Sequence, residues 1–450
     1  MMIAMTSMSG RTFCGMVALV ACLLWISTES AEGQTPTPGN NAVYNASGNC
    51  STSSACAGSS AFIDAFILSN INNTDLCTTI HNILQPATYS AAVIDARGIS
   101  GSALTCASSP WGSGSGYLSK PSVILLPAGT ITTSVPWVVP GNTKLIGVAK
   151  GNALNVGGGI NYVLETTIQA SFTSGAVVQL GDSHCPSSIC QGISVEHLTI
   201  VGDGPNLNGI ENDNCGSQCT VDHVTLIEVL GTGLKVSGAN ATDSGPYSNI
   251  TFDVGSAAAT TTQCAHIIGT SWTRGIHAIT CIATPAATNG ISLDASNNTI
   301  EDVRIIGFNN GIVVGANGTA DSNVLLNIYG DTAHASQPIN LIQISANTVS
   351  DLVVMAVSNA GGANTNTIRD LQSSTTLADP FVGMYVLGEA NSGGNSRFTT
   401  STTAGANAAT WMFGSGAPMP TTGCSTGSLY SDAGGGGLWV CTSTGWSLVI

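Results

Sequence analysis

Two short segments each place an acidic residue directly before a histidine. These are Glu196-His197 in VEHLTI and Asp222-His223 in VDHVTL. If the two segments stack in register, their carboxylates and imidazoles form two ladders spaced about 4.8 Å apart. Carboxylates that close raise each other's proton affinity, and neighbouring imidazoles could share a proton or a metal. The four residues are candidates for acid–base catalysis, and the alternative is that polar residues simply accumulate at solvated corners.

A second candidate group lies in NGIENDN, where Glu211 and Asp213 are two residues apart. Alternation along a strand places both on one outward face, and Lys235 is expected opposite Glu211 one repeat later. The pattern fits a sugar-binding or Ca²⁺ site. It equally fits an ion pair between repeats, which contributes little at a surface.

The segment SWTRGIH supplies a third group. Trp272 could stack on a sugar ring, with Arg274 and His277 as polar partners. Arg274 is suited to binding a carboxylate, and the alternative is ordinary loop packing.

A repeated sequence pattern predicts where these residues lie in the fold. An apolar residue, two mostly polar ones, an apolar residue, any residue and an apolar residue recur with a period in the twenties, starting at Val195, Val221, Ile276 and Ile300. Further copies start near Ile250, Val324 and Val349. Such a period without helical spacing is typical of a β-solenoid. The pattern predicts that the first apolar residues align in one row and that each polar pair forms an exposed corner between two strands.

A second class of strand begins with glycine and then alternates. This alternation predicts one set of side chains in the core and another facing outward. The expected core set is Ile210, Leu234, Ile291, Leu293, Ile312 and Val314, and the expected outward set is Glu211, Lys235, Ser292 and Val313.

Composition narrows the choice of partner. The net charge is −15, with only 10 Lys and Arg in 450 residues. Nucleic acids and anionic membrane surfaces require clustered cations, so neither is expected as a partner. A polyanionic polysaccharide would also be repelled unless Ca²⁺ bridged it to the protein.

The N-terminus resembles a secretory signal peptide. Arg11 precedes an apolar run over Phe13–Ile26, and Ala31 and Gly33 suit a cleavage site, so residues 1–33 are assigned to the signal. The run is too short to predict a membrane span. A lipoprotein signal ending at Cys22 is the alternative, although the apolar run continues past that cysteine.

The rest of the chain divides by composition. Residues 34–92 form an N-terminal segment with a capping helix expected over Ala61–Asn82, where Phe62, Phe66, Ile67 and Ile71 recur at helical spacing. Residues 93–390 are assigned to the solenoid, 391–420 to a linker and 421–450 to a hairpin module around four consecutive glycines.

Removing Cys14 and Cys22 with the signal leaves 12 of the 14 cysteines, an even number. Export and short spacings favour disulfides over metal thiolates. The neighbouring cysteines are Cys50 with Cys56, Cys185 with Cys190, Cys215 with Cys219, Cys264 with Cys281, and Cys424 with Cys441.

The segment from AVIDARGISG through SVILLPAGTITTSVPWVVPGNTKLIGVAKG to TTIQA resembles the opening of secreted parallel β-helix proteins with the pectin-lyase-like fold. The resemblance implies an all-β, right-handed parallel β-helix that binds or cleaves polysaccharides, especially uronic-acid polymers. The DD, GHG and RIK strings of polygalacturonase-type members do not occur in this sequence.

Two hypotheses follow. The first is a secreted or cell-surface protein that interacts with polysaccharide, with a lyase or a glycoside hydrolase as its enzymatic form. The second is a non-catalytic surface or adhesion protein, which the low charge and the terminal hairpin favour.

Overall fold

The computed structural model describes residues 60–66, 74–85, 90–151, 165–185, 189–202, 204, 206–254, 261–269, 272–283, 289–331, 340–345, 349–359, 366–372, 375–377, 381–387, 411–414, 428–432 and 437–449. The predicted signal peptide, together with Cys50, Cys56 and Cys424, lies outside these residues.

Strands dominate the described chain. The helix α1 spans Leu76–Leu84, and short 3₁₀ turns span Gly101–Leu104, Gly114–Gly116 and Ala239–Ala241. The strands are β1 (Ser60–Asp64), β2 (Ala91–Asp95), β3 (Thr105–Cys106), β4 (Ser122–Leu125), β5 (Gly129–Thr133), β6 (Trp137–Val139), β7 (Thr143–Ile146), β8 (Thr166–Ala170), β9 (Ser174–Leu180), β10 (Ser194–Val201), β11 (Asn206–Asn212), β12 (Thr220–Ile227), β13 (Thr232–Val236), β14 (Tyr247–Ser248), β15 (Thr251–Asp253), β16 (Gln263–Gly269), β17 (Ile276–Ile282), β18 (Asn289–Ala295), β19 (Thr299–Ile306), β20 (Asn310–Val314), β21 (Ala320–Asp321), β22 (Val324–Gly330), β23 (Asn340–Ile344), β24 (Val349–Ser350), β25 (Leu352–Asn359), β26 (Asn366–Asp370), β27 (Thr375–Leu377), β28 (Phe381–Leu387), β29 (Trp411–Gly414), β30 (Leu429–Asp432), β31 (Leu438–Thr442) and β32 (Gly445–Leu448).

The strands stack into a right-handed parallel β-helix, as predicted. A sixteen-stranded sheet and a ten-stranded sheet run along it, and the strands of successive coils pair in parallel. The predicted row is confirmed, since one continuous register joins Val195, Val221, Tyr247, Ile276, Ile300, Leu325 and Val354.

Three predicted members of the row are wrong. Tyr247 takes the place expected for Ile250, and Leu325 takes that of Val324. Val349 instead pairs with Ala320 in the short sheet of β21 and β24, while Val354 joins the row. The short apolar pattern matches at more than one offset, and only the hydrogen-bonded register selects among them.

The corner differs from the prediction in most coils, although Asn249 does separate β14 from β15. The two polar residues do not separate two strands, because β10, β12, β17 and β19 run through them without a break. The chain bends at the second position of the pair, where the residue has a positive φ in seven successive coils whether or not it is polar. These residues are His197, His223, Asn249, Ala278, Asp302, Asn327 and Ala356, with φ from 52° to 56°.

The core lies between the sheets. All six predicted inward residues are buried, from Ile210 to Val314. Of the predicted outward set, Ser292 and Val313 are 0% and 2% exposed, so their expected solvent exposure is wrong. Other protein atoms cover that part of the outer face.

The N-terminal end begins with a strand. Residues 61–64, where the predicted helix would begin, instead belong to β1, which pairs with β2 and leaves Phe62 exposed. The helix α1 starts later, after Asp75 caps it by accepting a hydrogen bond from the Thr78 amide at 2.9 Å. Its apolar face is buried, and a disulfide from Cys77 to Cys106 ties it to β3.

Antiparallel strands end the stack at the other side. β28 pairs with β25, and β27 pairs with β26. The predicted hairpin corresponds to β30 and β31, which belong to a separate four-stranded sheet with β29 and β32. β29 lies within the segment predicted as a linker. It nevertheless forms a strand, which pairs in parallel with β30.

Three predicted disulfides are present: Cys185–Cys190, Cys215–Cys219 and Cys264–Cys281. Cys77–Cys106 was not among the predicted pairs, because its cysteines are 29 residues apart. Among the described residues, no helix has the length and apolar character needed to cross a membrane.

Candidate functional site

Polar side chains line the bend of the sixteen-stranded sheet. Glu196, Asp222, Ser248, His277 and Glu301 occupy one register line in five successive coils. His197, His223 and Asn249 follow directly in the chain at the positive-φ position. We call these eight residues the polar array. It extends over about 19 Å, since neighbouring strands are about 4.8 Å apart.

Asp222 and His223 form a hydrogen-bonded pair within this array. The Nδ1 atom of His223 lies 2.7 Å from Oδ2 of Asp222, and the two side chains are 43% and 34% exposed. In the neutral imidazole, a proton on Nδ1 leaves Nε2 as the acceptor. The carboxylate therefore orients an accessible base, and His223 has the left-handed backbone conformation of the bend.

The predicted mutual rise in carboxyl pKa is wrong for Asp222. Burial raises its pKa, but hydrogen bonds from Ser248, Asn249 and His223 outweigh burial and lower the pKa to about 2. The Ser248 hydroxyl and the Asn249 amide donate to Oδ1 at 2.6 and 2.8 Å. Asp222 is thus a permanent anion at neutral pH and cannot act as a general acid there.

The imidazole ladder is present as predicted. The rings of His197 and His223 are stacked, with centroids 4.9 Å apart. Glu196 is in register with Asp222 and accepts a short hydrogen bond from the Ser194 hydroxyl, which also contacts Thr220.

Lys150 adds a positive charge that the sequence did not reveal. Its Nζ donates to the backbone carbonyl of Asn249 at 2.8 Å, and its charge interacts with Asp222. Burial lowers the pKa of Lys150, and Asp222 partly opposes this shift. The next residue, Gly151, is fixed by hydrogen bonds with the hydroxyls of Thr199 and Thr225 at 2.7 and 2.8 Å.

His277 belongs to the same line, although the sequence grouped it with Trp272 and Arg274. Its Nδ1 lies 2.5 Å from Oε1 of Glu301, in an ion-pair contact whose geometry is not that of a well-aligned hydrogen bond. Its ring packs over Gly275, whose φ of +111° and lack of a Cβ leave room for the imidazole.

Arg274 and Trp272 lie in the segment just before β17. The Arg274 guanidinium binds Asp243 through Nε and Nη2 at 2.8 and 2.9 Å, and Ser217 supports the same carboxylate. Asp243 therefore already occupies the two parallel N–H groups of Arg274 that would bind a substrate carboxylate. Trp272 is 43% exposed.

Glu211 lies in β11 of the ten-stranded sheet and Asp213 directly follows that strand, apart from the polar array. Glu211 is in register with Lys235, and their side chains are 2.5 Å apart, as the sequence predicted. Burial, followed by the charge of Glu211, raises the pKa of Asp213.

A metal does not fit the array. Within the described part of the chain, the one convergent group of three or more acidic, histidine or cysteine ligands is Asp75, Cys77 and Cys106, and both cysteines are in a disulfide. The ladder separates the array's carboxylates and imidazoles along the solenoid, so no chemical step is assigned to a metal there. The Ca²⁺ site considered at Glu211 and Asp213 is likewise not among the convergent groups of the described chain.

Ser248 and Asn249 were missed because the repeat near residue 250 was aligned on Ile250. A strict 26-residue step from Val221 leads to YSNI at Tyr247, where two polar residues follow an aromatic one. The chain has only 10 Lys and Arg residues, so each of them, Lys150 included, could have been considered as a candidate functional cation.

No family model matches the chain, and no curated protein matches it. Three solved structures are similar. Geobacillus virus E2 ORF18 shows 13% identity and a TM-score of 0.29, with 84% of this chain and 83% of that chain covered. The A-module of Azotobacter vinelandii mannuronan C-5 epimerase AlgE4 shows 14% identity and a TM-score of 0.28, with coverage of 57% and 84%.

The third is the enzymatically active domain of bacteriophage CBA120 tailspike protein 2. It shows 12% identity and a TM-score of 0.35, and the match covers 87% of this chain and 53% of that chain. The architecture itself, with parallel strands stacked coil upon coil, defines the chain as a right-handed parallel β-helix protein.

Proposed function

We propose that this protein is an exported β-helix protein that binds a polysaccharide along the polar array, and that His223 transfers a proton during cleavage of a uronic-acid-containing chain. The observation that carries the proposal is the continuous line of polar side chains over five coils, with the Asp222–His223 pair inside it. A linear ligand can contact such a line at regular intervals.

The ionisation of Asp222 supports His223 as a general base rather than Asp222 as a general acid. Because Asp222 remains ionised, it stabilises the charge that His223 gains when Nε2 accepts a proton. Lys150 interacts electrostatically with the same carboxylate and supplies a cation beside the pair that an acidic sugar could meet. Export is consistent with the four disulfides of the described chain.

The test combines binding and product analysis. The full chain is titrated with pectin, alginate and xylan fragments, while reducing ends report hydrolysis and unsaturated sugars report elimination. Replacing His223→Gln is expected to lower turnover by about 10²–10⁴-fold with binding retained, since general base catalysis has that magnitude.

The matched control is His184→Gln. His184 is also paired with an aspartate, at 2.6 Å from Asp182, and is 45% exposed, but it lies outside the array. It should leave turnover unchanged. Equal losses in both variants would refute the catalytic assignment, and binding without any product would favour the non-catalytic surface protein.

A further inference from the structure

The outer face of the ten-stranded sheet carries a second polar cluster. Glu211, Lys235 and His266 occupy one register line in three successive coils. Asp213 lies on the same face, because Gln179, the partner of Glu211 in the preceding coil, contacts the Asp213 carboxylate at 3.4 Å. This cluster belongs to a different sheet from the polar array.

Fixed hydrogen bonds hold the cluster. Lys235 Nζ lies 2.5 Å from Glu211 Oε1, and the Asn208 amide donates to Oε2 at 3.1 Å. His266 Nε2 lies 2.9 Å from Oδ2 of Asp294. Asp294 in turn accepts from the backbone and side-chain amides of Asn317 at 2.9 and 3.1 Å. The side chains that face the solvent are therefore already ordered before a ligand arrives.

Exposure shows which part of the face a ligand can reach. The side chains of Lys235, His266 and Glu211 are 30%, 17% and 16% exposed, whereas Asp294 is only 2% exposed. Farther along the same line Ser292 and Val313 are buried. The three charged or titratable residues therefore lie in an accessible part of the line, next to Gln179 in the preceding coil, and the line becomes accessible again only at Gln343 and Arg369.

Charge decides the class of ligand. Glu211 offsets Lys235, and Asp294 offsets His266 when the imidazole is protonated, so the cluster has no uncompensated cation. Asp213 adds a negative charge whenever it is ionised. Every cation that the cluster offers is already paired with a carboxylate, so the cluster is a poorer site for an acidic sugar than for a neutral one. The carboxylates do not converge into a metal site within the described chain either.

We propose that this cluster is a second ligand site, which binds a neutral sugar unit through its hydroxyl groups. Lys235 has two further N–H donors after its bond to Glu211, and neutral His266 offers Nδ1 as an acceptor while Nε2 donates to Asp294. Glu211 and Asp213 accept from sugar hydroxyls. The site goes beyond the proposed function, because both the sheet and the class of sugar differ.

The test follows the seven histidines of the full chain by heteronuclear NMR. Xylotriose and cellotriose are the neutral probes, and trigalacturonate is the acidic probe. The neutral probes are expected to shift the His266 resonances and leave His223 unchanged. A shift at His223 with trigalacturonate reports on the polar array, so the two proposals succeed or fail independently.

Variants then test the contacts. Lys235→Met is expected to weaken binding of the neutral probe at least tenfold by calorimetry, and His266→Gln serves as a second variant if the first alters folding. Arg97→Met, which breaks another surface ion pair, is the control. The proposal is overturned if neither neutral probe shifts His266, if trigalacturonate shifts it equally, or if both variants bind normally.

Discussion

Asp222 collects three hydrogen bonds, from its neighbour His223 and from Ser248 and Asn249 in the next coil. In a solenoid, the pKa of a carboxylate thus depends on residues about 26 positions away in the sequence as much as on its sequence neighbours. Those donors, rather than the adjacent Glu196, determine its charge state. The functional consequence is a fixed anion that orients His223.

Asp222→Asn is expected to lower the free energy of unfolding by about 1 kcal/mol at neutral pH, after allowance for partial exposure. The pKa of Asp222 is about 2 when folded and about 3.9 when unfolded, so its contribution is present above about pH 4 and is lost as pH falls through 2. Thermal unfolding of both proteins from pH 7 to pH 2 checks this. A difference that persists undiminished at pH 2 would contradict it.

At the scale of the element, the strands that pass the bend share one unusual backbone conformation. A positive φ costs an L-residue roughly 1–2 kcal/mol unless it is Asn, Asp or Gly. Asn249, Asp302 and Asn327 suit it, while His197 and His223 occupy it within the polar array. Ala278 and Ala356 also occupy it, without a side chain that can compensate.

Ala278→Gly is expected to stabilise the protein by about 0.5–1 kcal/mol, because glycine adopts positive φ without steric strain and this gain exceeds its entropic cost. Chemical denaturation measures the change. Ala107→Gly, at another exposed alanine with an ordinary φ, should instead be neutral or destabilising. A loss of stability in Ala278→Gly would show that the bend is not strained.

In the ten-stranded sheet, a ladder of asparagine side chains joins successive strands. Asn289, Asn310, Asn340 and Asn366 are joined in sequence by side-chain amide hydrogen bonds of 2.8 to 3.0 Å. Asn310, Asn340 and Asn366 each donate to the asparagine of the coil before, so the amides fix the register of four successive strands. The sheet that carries the second cluster is therefore held by its strand starts as well as by its core.

At the scale of the whole molecule, each coil contacts mainly the coils before and after it. Stability is then approximately a sum of contributions from neighbouring coils, and damage at one end need not reach the other. The ends are the exception, since they lack one neighbour. The helix α1 and its disulfide to β3 protect one end, and the antiparallel strands β27 and β28 end the sheets at the other.

Replacing both Cys77 and Cys106 with alanine is expected to cost about 2–4 kcal/mol locally, because the disulfide closes a loop of 29 residues. Hydrogen exchange should accelerate in α1, β1 and β2 while β19 to β25 remain protected. Faster exchange throughout the solenoid would contradict the nearest-neighbour description.

The sequence by itself determined the period, the fold class and the pairing of Glu196 with Asp222 and of Glu211 with Lys235. A stacked repeat converts sequence distance directly into spatial contact, so regular spacing suffices for these predictions. The stacking of His197 on His223 follows from the same rule.

Only the tertiary structure decided the exact register near residues 250, 325 and 349, the bend inside continuous strands and the approach of Lys150 to the polar array. The register depends on hydrogen bonding where the apolar pattern is ambiguous, and Lys150 lies in a connecting segment with no periodic signal. The pKa of Asp222 likewise depends on donor geometry, which residue spacing does not encode.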